Sequence, residues 1–143
     1  MKKKLNCVLL IDDDSPTNYF NEMIIDDVGI TEKIQVAQSG QEALEYLTNR
    51  GKYLDNGNVY PKPDLIFLDI NMPVMNGWEF LEEYKKLPDQ QKGKIVVVML
   101  TASPNPDDEI KAGSIPEVKD YKNKPLTPIV IDEILKEYFP GNI

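Results

Sequence analysis

Three short, uninterrupted apolar runs, at residues 7–11, 65–68 and 95–100, limit the folds open to this chain of 143 residues. Short apolar runs without polar alternation are typical of strands that are buried on both faces, as in parallel sheets. Two weaker candidate strands lie at residues 33–37 and 118–121. The sequence therefore predicts a five-stranded parallel sheet with both faces covered.

Amphipathic helical patterns follow the candidate strands. Ser15 and Pro16 predict the N-cap and first turn of the first helix, which is expected to bury Phe20, Ile24 and Val28. The other four helices are predicted at residues 39–50, 77–87, 107–114 and 128–139, and a long surface loop at residues 52–62. This alternation favours one doubly wound α/β domain, residues 1–143, with five helices on both faces of the sheet.

The composition excludes several classes of function. The chain has 24 Asp and Glu against 16 Lys and Arg, and its net charge of −8 opposes nucleic-acid binding. It has no histidine, which excludes histidine-based triads, HExxH sites and phosphohistidine carriers. Cys7 is the only cysteine, so no intramolecular disulfide can form, and no apolar run is long enough to span a membrane. We expect a soluble cytoplasmic protein without a membrane or nucleic-acid partner.

Polar residues follow the candidate strands at the end where doubly wound folds bind their ligands. Residues 12–14, all aspartates, follow the first strand, Asp69 follows the third, Thr101 ends the fourth and Lys124 comes after the fifth. If the first and third strands are neighbours, their carboxylates converge. Two carboxylates ~5 Å apart repel by about 3 kcal/mol at an effective dielectric constant near 20. The convergence therefore requires a compensating positive charge.

A divalent cation would offset this repulsion. Asp12, Asp13, Asp69 and a backbone carbonyl offer the oxygen ligands that suit Mg²⁺, and Lys124 adds a further positive charge. A carboxylate beside both cations is suited to attack phosphorus, and the Thr101 hydroxyl can hydrogen-bond a phosphoryl oxygen. Asp69 is the best candidate nucleophile, because the apolar run before it fixes its position in the sheet.

Three other interpretations stay open at this point. Asp12 and Asp14 fit an Asp-x-Asp pattern, in which they are the nucleophile and the acid of a haloacid-dehalogenase-like phosphatase. A flavin- or dinucleotide-binding module has the same topology, although three aspartates would repel a pyrophosphate. A module that binds partners without being phosphorylated is the third. Each residue also has an ordinary structural role by itself, such as acids near a helix N-terminus.

Four segments of the sequence together carry a family resemblance. They are VLLIDDDSPT at residues 8–17, PDLIFLDINMPVMNG at 63–77, VVVMLTAS at 96–103 and YKNKPLT at 121–127. In the second segment Asp69 is followed by Met72-Pro73 and then by Gly77. The set resembles the receiver domain of two-component response regulators, over essentially the whole chain. The resemblance implies the flavodoxin-like strand order 2-1-3-4-5 and a single-domain, chemotaxis-regulator-like signalling protein rather than an enzyme.

The resemblance also implies roles for individual residues. Asp69 would accept a phosphoryl group from the phosphohistidine of a histidine kinase. Asp13 would bind Mg²⁺ directly, Asp12 largely through water, and the main-chain carbonyl of Asn71 would be a further ligand. Lys124 would pair with the phosphoryl group.

By the same resemblance, Thr101 and Tyr121 would be the switch residues. Thr101 would move toward the phosphoryl group and Tyr121 would turn inward, changing the surface made by the fourth helix, fifth strand and fifth helix. Asn71 and Ser103 would tune the lifetime of the phosphoryl group before slow hydrolysis, and the peptide bond before Pro125 would be cis.

Two segments depart from the family pattern. Residues 114–118 replace the usual small, glycine-containing turn before the fifth strand, and the loop at 52–62 is longer than in the smallest members. The expected partners are a sensor histidine kinase or phosphotransfer protein, and a downstream protein that binds the switching surface. A homodimer formed through the same surface is also compatible with the sequence. Because the length matches a receiver domain alone, we expect a stand-alone regulator.

Overall fold

Five parallel strands form a single sheet in a computed structural model, which describes residues 3–53, 60–92 and 94–142. The strands are β1 (Leu5–Ile11), β2 (Thr31–Ala37), β3 (Leu65–Asp69), β4 (Val96–Thr101) and β5 (Val118–Asn123). Their order is β2-β1-β3-β4-β5. The predicted flavodoxin-like α/β fold is therefore confirmed.

Six α-helices accompany the sheet in the described residues. They are α1 (Ser15–Val28), α2 (Gly40–Thr48), α3 (Gly77–Lys85), α4 (Asp89–Lys92), α5 (Pro106–Gly113) and α6 (Pro128–Tyr138). The prediction of five helices was wrong by one. The additional helix, α4, is a single turn with no buried residue, so no apolar periodicity marked it in the sequence. The predicted fourth and fifth helices correspond to α5 and α6.

Two short 3₁₀ helices, Gly51–Tyr53 and Pro140–Asn142, complete the described elements. The first occupies the start of the predicted loop at 52–62, of which residues 54–59 lie outside the described part of the chain. Among the described residues, no helix has both the length and the apolar character needed to span a membrane.

The central strands alternate their side chains between two hydrophobic layers. Leu9, Ile66 and Met99 face the layer that is covered by α2, α3 and α5. The next residue on each strand faces the opposite layer, which is covered by α1 and α6; these residues are Leu10, Phe67 and Leu100. Cys7 is fully buried in β1, as expected for an ordinary core residue.

Helix α1 differs from its prediction in two ways. Its N-cap is Asp14, whose side chain accepts a hydrogen bond from the Thr17 main-chain N–H at 3.0 Å, and Ser15 is the first helical residue. The helix buries Asn18, Asn21 and Ile25 instead of the predicted apolar stripe. Two members of that stripe, Phe20 and Val28, are exposed. Helix α1 thus turns two asparagines toward the sheet together with Ile25, and it leaves two large apolar side chains in solvent.

Candidate functional site

Strand register brings two aspartates to the same edge of the sheet. Ile11 of β1 pairs with Leu68 of β3, so the residues that follow them, Asp12 and Asp69, are neighbours at the carboxyl ends of these strands. Asp12 is held on its other side by its main-chain N–H, which donates to the Ala37 carbonyl at 3.1 Å. Both side chains are almost completely buried.

The neighbouring strands β4 and β5 contribute the remaining predicted groups. Asp69 pairs with Leu100, and Thr101 follows at the end of β4. Thr101 pairs with Asn123 of β5, and the main-chain N–H of the next residue, Lys124, donates to the Thr101 carbonyl at 2.8 Å. The Lys124-Pro125 peptide bond is cis.

The ammonium group of Lys124 joins the two buried carboxylates. Its Nζ lies 2.7 Å from Asp12 Oδ2 and 2.9 Å from Asp69 Oδ1. Asp13 is exposed beside them, and carboxylate oxygens of Asp12, Asp13 and Asp69 all lie within 4.8 Å of one another. The structure thus brings together four of the predicted site residues.

The pKa values in this cluster reflect its burial. Burial raises the pKa of Asp69, the Lys124 ammonium acts in the opposite sense, and the nearby charge of Asp12 raises it further. For Lys124, burial lowers the pKa of the amine, but the hydrogen bonds to Asp12 and Asp69 outweigh this effect and the pKa is raised. One ammonium therefore faces two buried carboxylates, and the cluster still carries net negative charge.

The donor set fits a hard divalent cation. Three carboxylates within mutual reach supply only oxygen ligands, and the uncompensated negative charge favours a cation of charge two. Asn71 lies two residues beyond the end of β3, and its main-chain N–H acts to lower the pKa of the Asp69 carboxyl, against the effect of burial. These residues could hold Mg²⁺ or a similar ion.

The predicted switch residues, Thr101 and Tyr121, lie on the adjacent strands β4 and β5. Thr101 is buried, and its Oγ1 accepts a hydrogen bond from the Ser103 main-chain N–H at 3.1 Å. The ring of Tyr121 is partly buried and packs against the core on the α5 side of the sheet. Its hydroxyl is buried without a hydrogen-bond partner among the described residues.

The third aspartate of the acidic run has a different role. The Asp14 carboxylate caps α1, and side-chain and main-chain hydrogen bonds from Thr17 lower its pKa. A general acid needs a pKa raised toward the working pH. The capping role therefore argues against the Asp-x-Asp phosphatase interpretation.

Sequence reasoning missed one residue that contacts the site. Asn18 is buried in α1, and its Nδ2 donates to the main-chain carbonyl of Asp12 at 2.8 Å. The only signal was a polar residue within an amphipathic helix, which does not indicate where its amide is directed.

The sequence matches the family described as "Response regulator receiver domain" over residues 8–136. The chain belongs to this family. A two-component response regulator from Cytophaga hutchinsonii has a solved structure that is 35% identical in sequence, with a TM-score of 0.82. The match covers 96% of this chain and 99% of that one.

Two further relatives are regulators of the same kind. Response regulator Rcp1 of Synechocystis sp. is 33% identical to this chain in the matched region. The match covers 72% of this chain and 66% of the length of Rcp1. The Mn²⁺-bound structure of Rcp1 has a TM-score of 0.72 and 28% identity, covering 95% of this chain and 94% of that one. The structure of the phosphorylated cyanobacterial phytochrome response regulator RcpA has a TM-score of 0.70 and 27% sequence identity. The match covers 92% of this chain and 89% of RcpA.

Proposed function

We propose that this receiver domain is a phosphoacceptor in a two-component relay, with Asp69 as the residue that is phosphorylated. The observation that carries the proposal is the contact of one ammonium, Lys124 Nζ, with both Asp12 and Asp69. A buried carboxylate held beside a fixed cation at a strand end is positioned to attack phosphorus. The donor is the phosphohistidine of a sensor kinase or phosphotransfer protein.

The transfer requires no other covalent group from this chain. A carboxylate oxygen of Asp69 forms the new bond to phosphorus, the phosphorus–nitrogen bond of the donor breaks, and the electron pair leaves with the imidazole, which takes up a proton. Lys124 neutralises the incoming phosphoryl oxygens, and the hydroxyl of Thr101 hydrogen-bonds one of them. Water later hydrolyses the acyl phosphate, and Asn71 and Ser103, two residues beyond Asp69 and Thr101, tune its lifetime. The domain is a switch rather than an enzyme that acts on other molecules.

Mg²⁺ is the proposed cofactor, with Asp12, Asp13, Asp69 and the Asn71 carbonyl as its protein contacts. When bound, the ion neutralises charge on the phosphoryl oxygens during transfer. Support comes from the oxygen-only donor set and from Rcp1, a relative whose solved structure contains Mn²⁺. The solved structure of phosphorylated RcpA supports the proposal that this chain is also phosphorylated.

The proposed output is a change in the surface made by α5, β5 and α6. Phosphorylation adds nearly two negative charges beside Thr101, which draws its hydroxyl inward and shifts the population of Tyr121 positions. A cavity of ≈ 240 Å³ between α5 and β5, lined in part by Ala112, Gly113 and Tyr121, offers room for such repacking. A downstream protein would bind the altered surface.

The test is the intact mass of the protein after incubation with acetyl phosphate, with and without Mg²⁺. We expect the wild type to gain one phosphoryl group only when Mg²⁺ is present, and Asp69→Asn to gain none. Asp14→Asn is the matched control, because asparagine caps a helix as well as aspartate and the residue lies outside the metal-binding cluster. A gain that survives in Asp69→Asn, or no gain in the wild type, would contradict the proposal.

A further inference from the structure

Asn18 occupies a position in α1 where an amide costs stability. The residue is 4% exposed, and its Oδ1 is buried without a hydrogen-bond partner among the described residues. Burial of an unpartnered polar oxygen is unfavourable, and a leucine, which has the same number of side-chain heavy atoms, would avoid that cost. Local conflicts of this kind are expected where a residue serves function rather than stability.

The other end of the amide contacts the run of aspartates at residues 12–14, which we call the acidic turn. Asn18 Nδ2 donates to the Asp12 carbonyl at 2.8 Å. This carbonyl belongs to the planar peptide unit that links Asp12 to Asp13, so its orientation governs the directions in which both side chains leave the backbone. The contact therefore acts on two of the three carboxylates in the cluster.

The flanks of the acidic turn are fixed by other bonds. The main-chain N–H of Asp12 donates to Ala37, and the main-chain N–H of Asp14 donates to Asp12 Oδ1 at 3.0 Å. Between these two anchors, the bond from Asn18 ties the peptide that precedes Asp13 to the body of α1. Asp13 is the exposed member of the cluster, so its side chain is not held in place by packing.

We propose that Asn18 is a positioning residue for the divalent cation: it holds the peptide between Asp12 and Asp13 so that both carboxylates meet Asp69. This inference rests on the proposed function. Groups that hydrogen-bond to metal ligands typically change metal affinity by about tenfold or more when they are removed. Asn18 would thus contribute to Mg²⁺ binding without touching the ion.

The chain offers a matched control one helical turn away. Asn21 is 3% exposed, and its Oδ1 is also buried without a partner in the described part of the chain. Among the described residues it makes no hydrogen bond to the acidic turn. Replacement of either asparagine by leucine therefore makes the same chemical change on the same face of α1, but only one replacement removes the contact to Asp12.

The experiment compares Asn18→Leu and Asn21→Leu by Mg²⁺ titration calorimetry and by urea unfolding in EDTA. We expect Asn18→Leu to weaken Mg²⁺ binding by about tenfold and Asn21→Leu to leave it unchanged. Without metal, Asn21→Leu should be at least as stable as the wild type, whereas Asn18→Leu also loses the hydrogen bond to the Asp12 carbonyl. In acetyl phosphate reactions, Asn18→Leu should need more Mg²⁺ for half-maximal phosphorylation and reach the wild-type rate at saturation.

Wild-type Mg²⁺ affinity in Asn18→Leu would overturn the inference, and so would equal weakening in both variants, since that outcome points to helix packing. A wild type that binds no Mg²⁺ would instead refute the proposed function on which the inference rests. If Asn18→Leu does not fold, Asn18→Ala against Asn21→Ala makes the same comparison, with the same two results expected.

Discussion

Gly77 approaches the end of β3 more closely than any residue with a side chain could. A methyl group at this position would lie 2.8 Å from the Asp69 main-chain oxygen and 3.0 Å from the Ile70 Cα. The main-chain N–H of Gly77 also donates to the Ile70 carbonyl at 2.8 Å, which closes the loop after β3. Because both close contacts are with backbone, relief of the clash requires the end of β3 to move.

We therefore expect Gly77→Ala to lower the free energy of unfolding by about 1–3 kcal/mol and to slow phosphorylation of Asp69. Urea unfolding and the rate of mass gain with acetyl phosphate measure the two effects. The control is Gly113→Ala at the end of α5, where a methyl group would meet nothing within 4 Å. Equal effects of the two substitutions would contradict this account of Gly77.

The placement of Asp12, Asp69, Thr101 and Lys124 at one edge of the sheet could be predicted from sequence, because each one directly follows or ends a strand. A parallel sheet brings such positions to one edge whatever the details of the helices, so Asp12, Asp69, Thr101 and Lys124 needed only the strand order. Asn18 could not be predicted, since its contact depends on the rotation of α1 about its axis. The apolar pattern of α1 indicated the wrong rotation, as the exposure of Phe20 shows.

At the scale of elements, α5 is tied to α3 by a cation–π contact. The Lys111 ammonium lies 4.5 Å from the centre of the Trp78 ring. Trp78 is the only tryptophan of the chain, so tryptophan emission reports on the surroundings of this one side chain. Since α5 forms part of the proposed output surface, the contact restrains one of the elements that the proposed switch would displace.

Lys111→Met removes the charge and keeps the apolar stem. We expect the substitution to change the emission of Trp78 and to lower the free energy of unfolding by about 0.5–1 kcal/mol. Lys136→Met is the comparison, because Lys136 forms an exposed ion pair with Asp132 on α6, at 3.0 Å. Loss of this ion pair should lower the free energy of unfolding by no more than about 0.5 kcal/mol and leave the emission of Trp78 unchanged. Unchanged emission in Lys111→Met would exclude the contact in solution.

Element boundaries were harder to predict than element types. Helix α2 ends at Thr48, two residues before its predicted boundary at residue 50, because Asn49 adopts the left-handed conformation at φ 55° and caps the helix. Helix α4 has four polar residues and no buried face, so only its backbone hydrogen bonds define it. These features depend on local backbone geometry, for which apolar spacing gives no signal.

At the scale of the whole molecule, the buried phenol of Tyr84 makes the free energy of unfolding depend on pH in the alkaline range. Burial raises the pKa of Tyr84 to about 12, and the nearby Glu117 carboxylate adds to the effect. In the unfolded chain the phenol ionises near its ordinary value of about 10. The folded state therefore binds this proton more tightly, and the contribution to stability is complete below pH ~10 and is lost as the pH rises through ~12.

Tyr84→Phe keeps the ring and removes the ionisable hydroxyl. We expect the free energy of unfolding, measured with urea between pH 9 and about 12, to fall less in this variant than in the wild type. At the upper end of this range the variant should have lost about 2 kcal/mol less. Tyr19→Phe serves as the reference, because the Tyr19 side chain is 73% exposed. A Tyr84→Phe curve parallel to the wild type would show that the phenol ionises normally in the folded state.

The position of β3 has a consequence for amide hydrogen exchange. All five of its residues are buried and it lies between β1 and β4, whereas β5 is an edge strand with no fully buried residue. Amides of β3 should exchange with solvent only when the whole domain opens, and those of β5 through smaller local openings. Asp69 is thus attached to a strand whose amides we expect to be among the slowest to exchange. Tyr121 belongs to a strand that can yield without global unfolding.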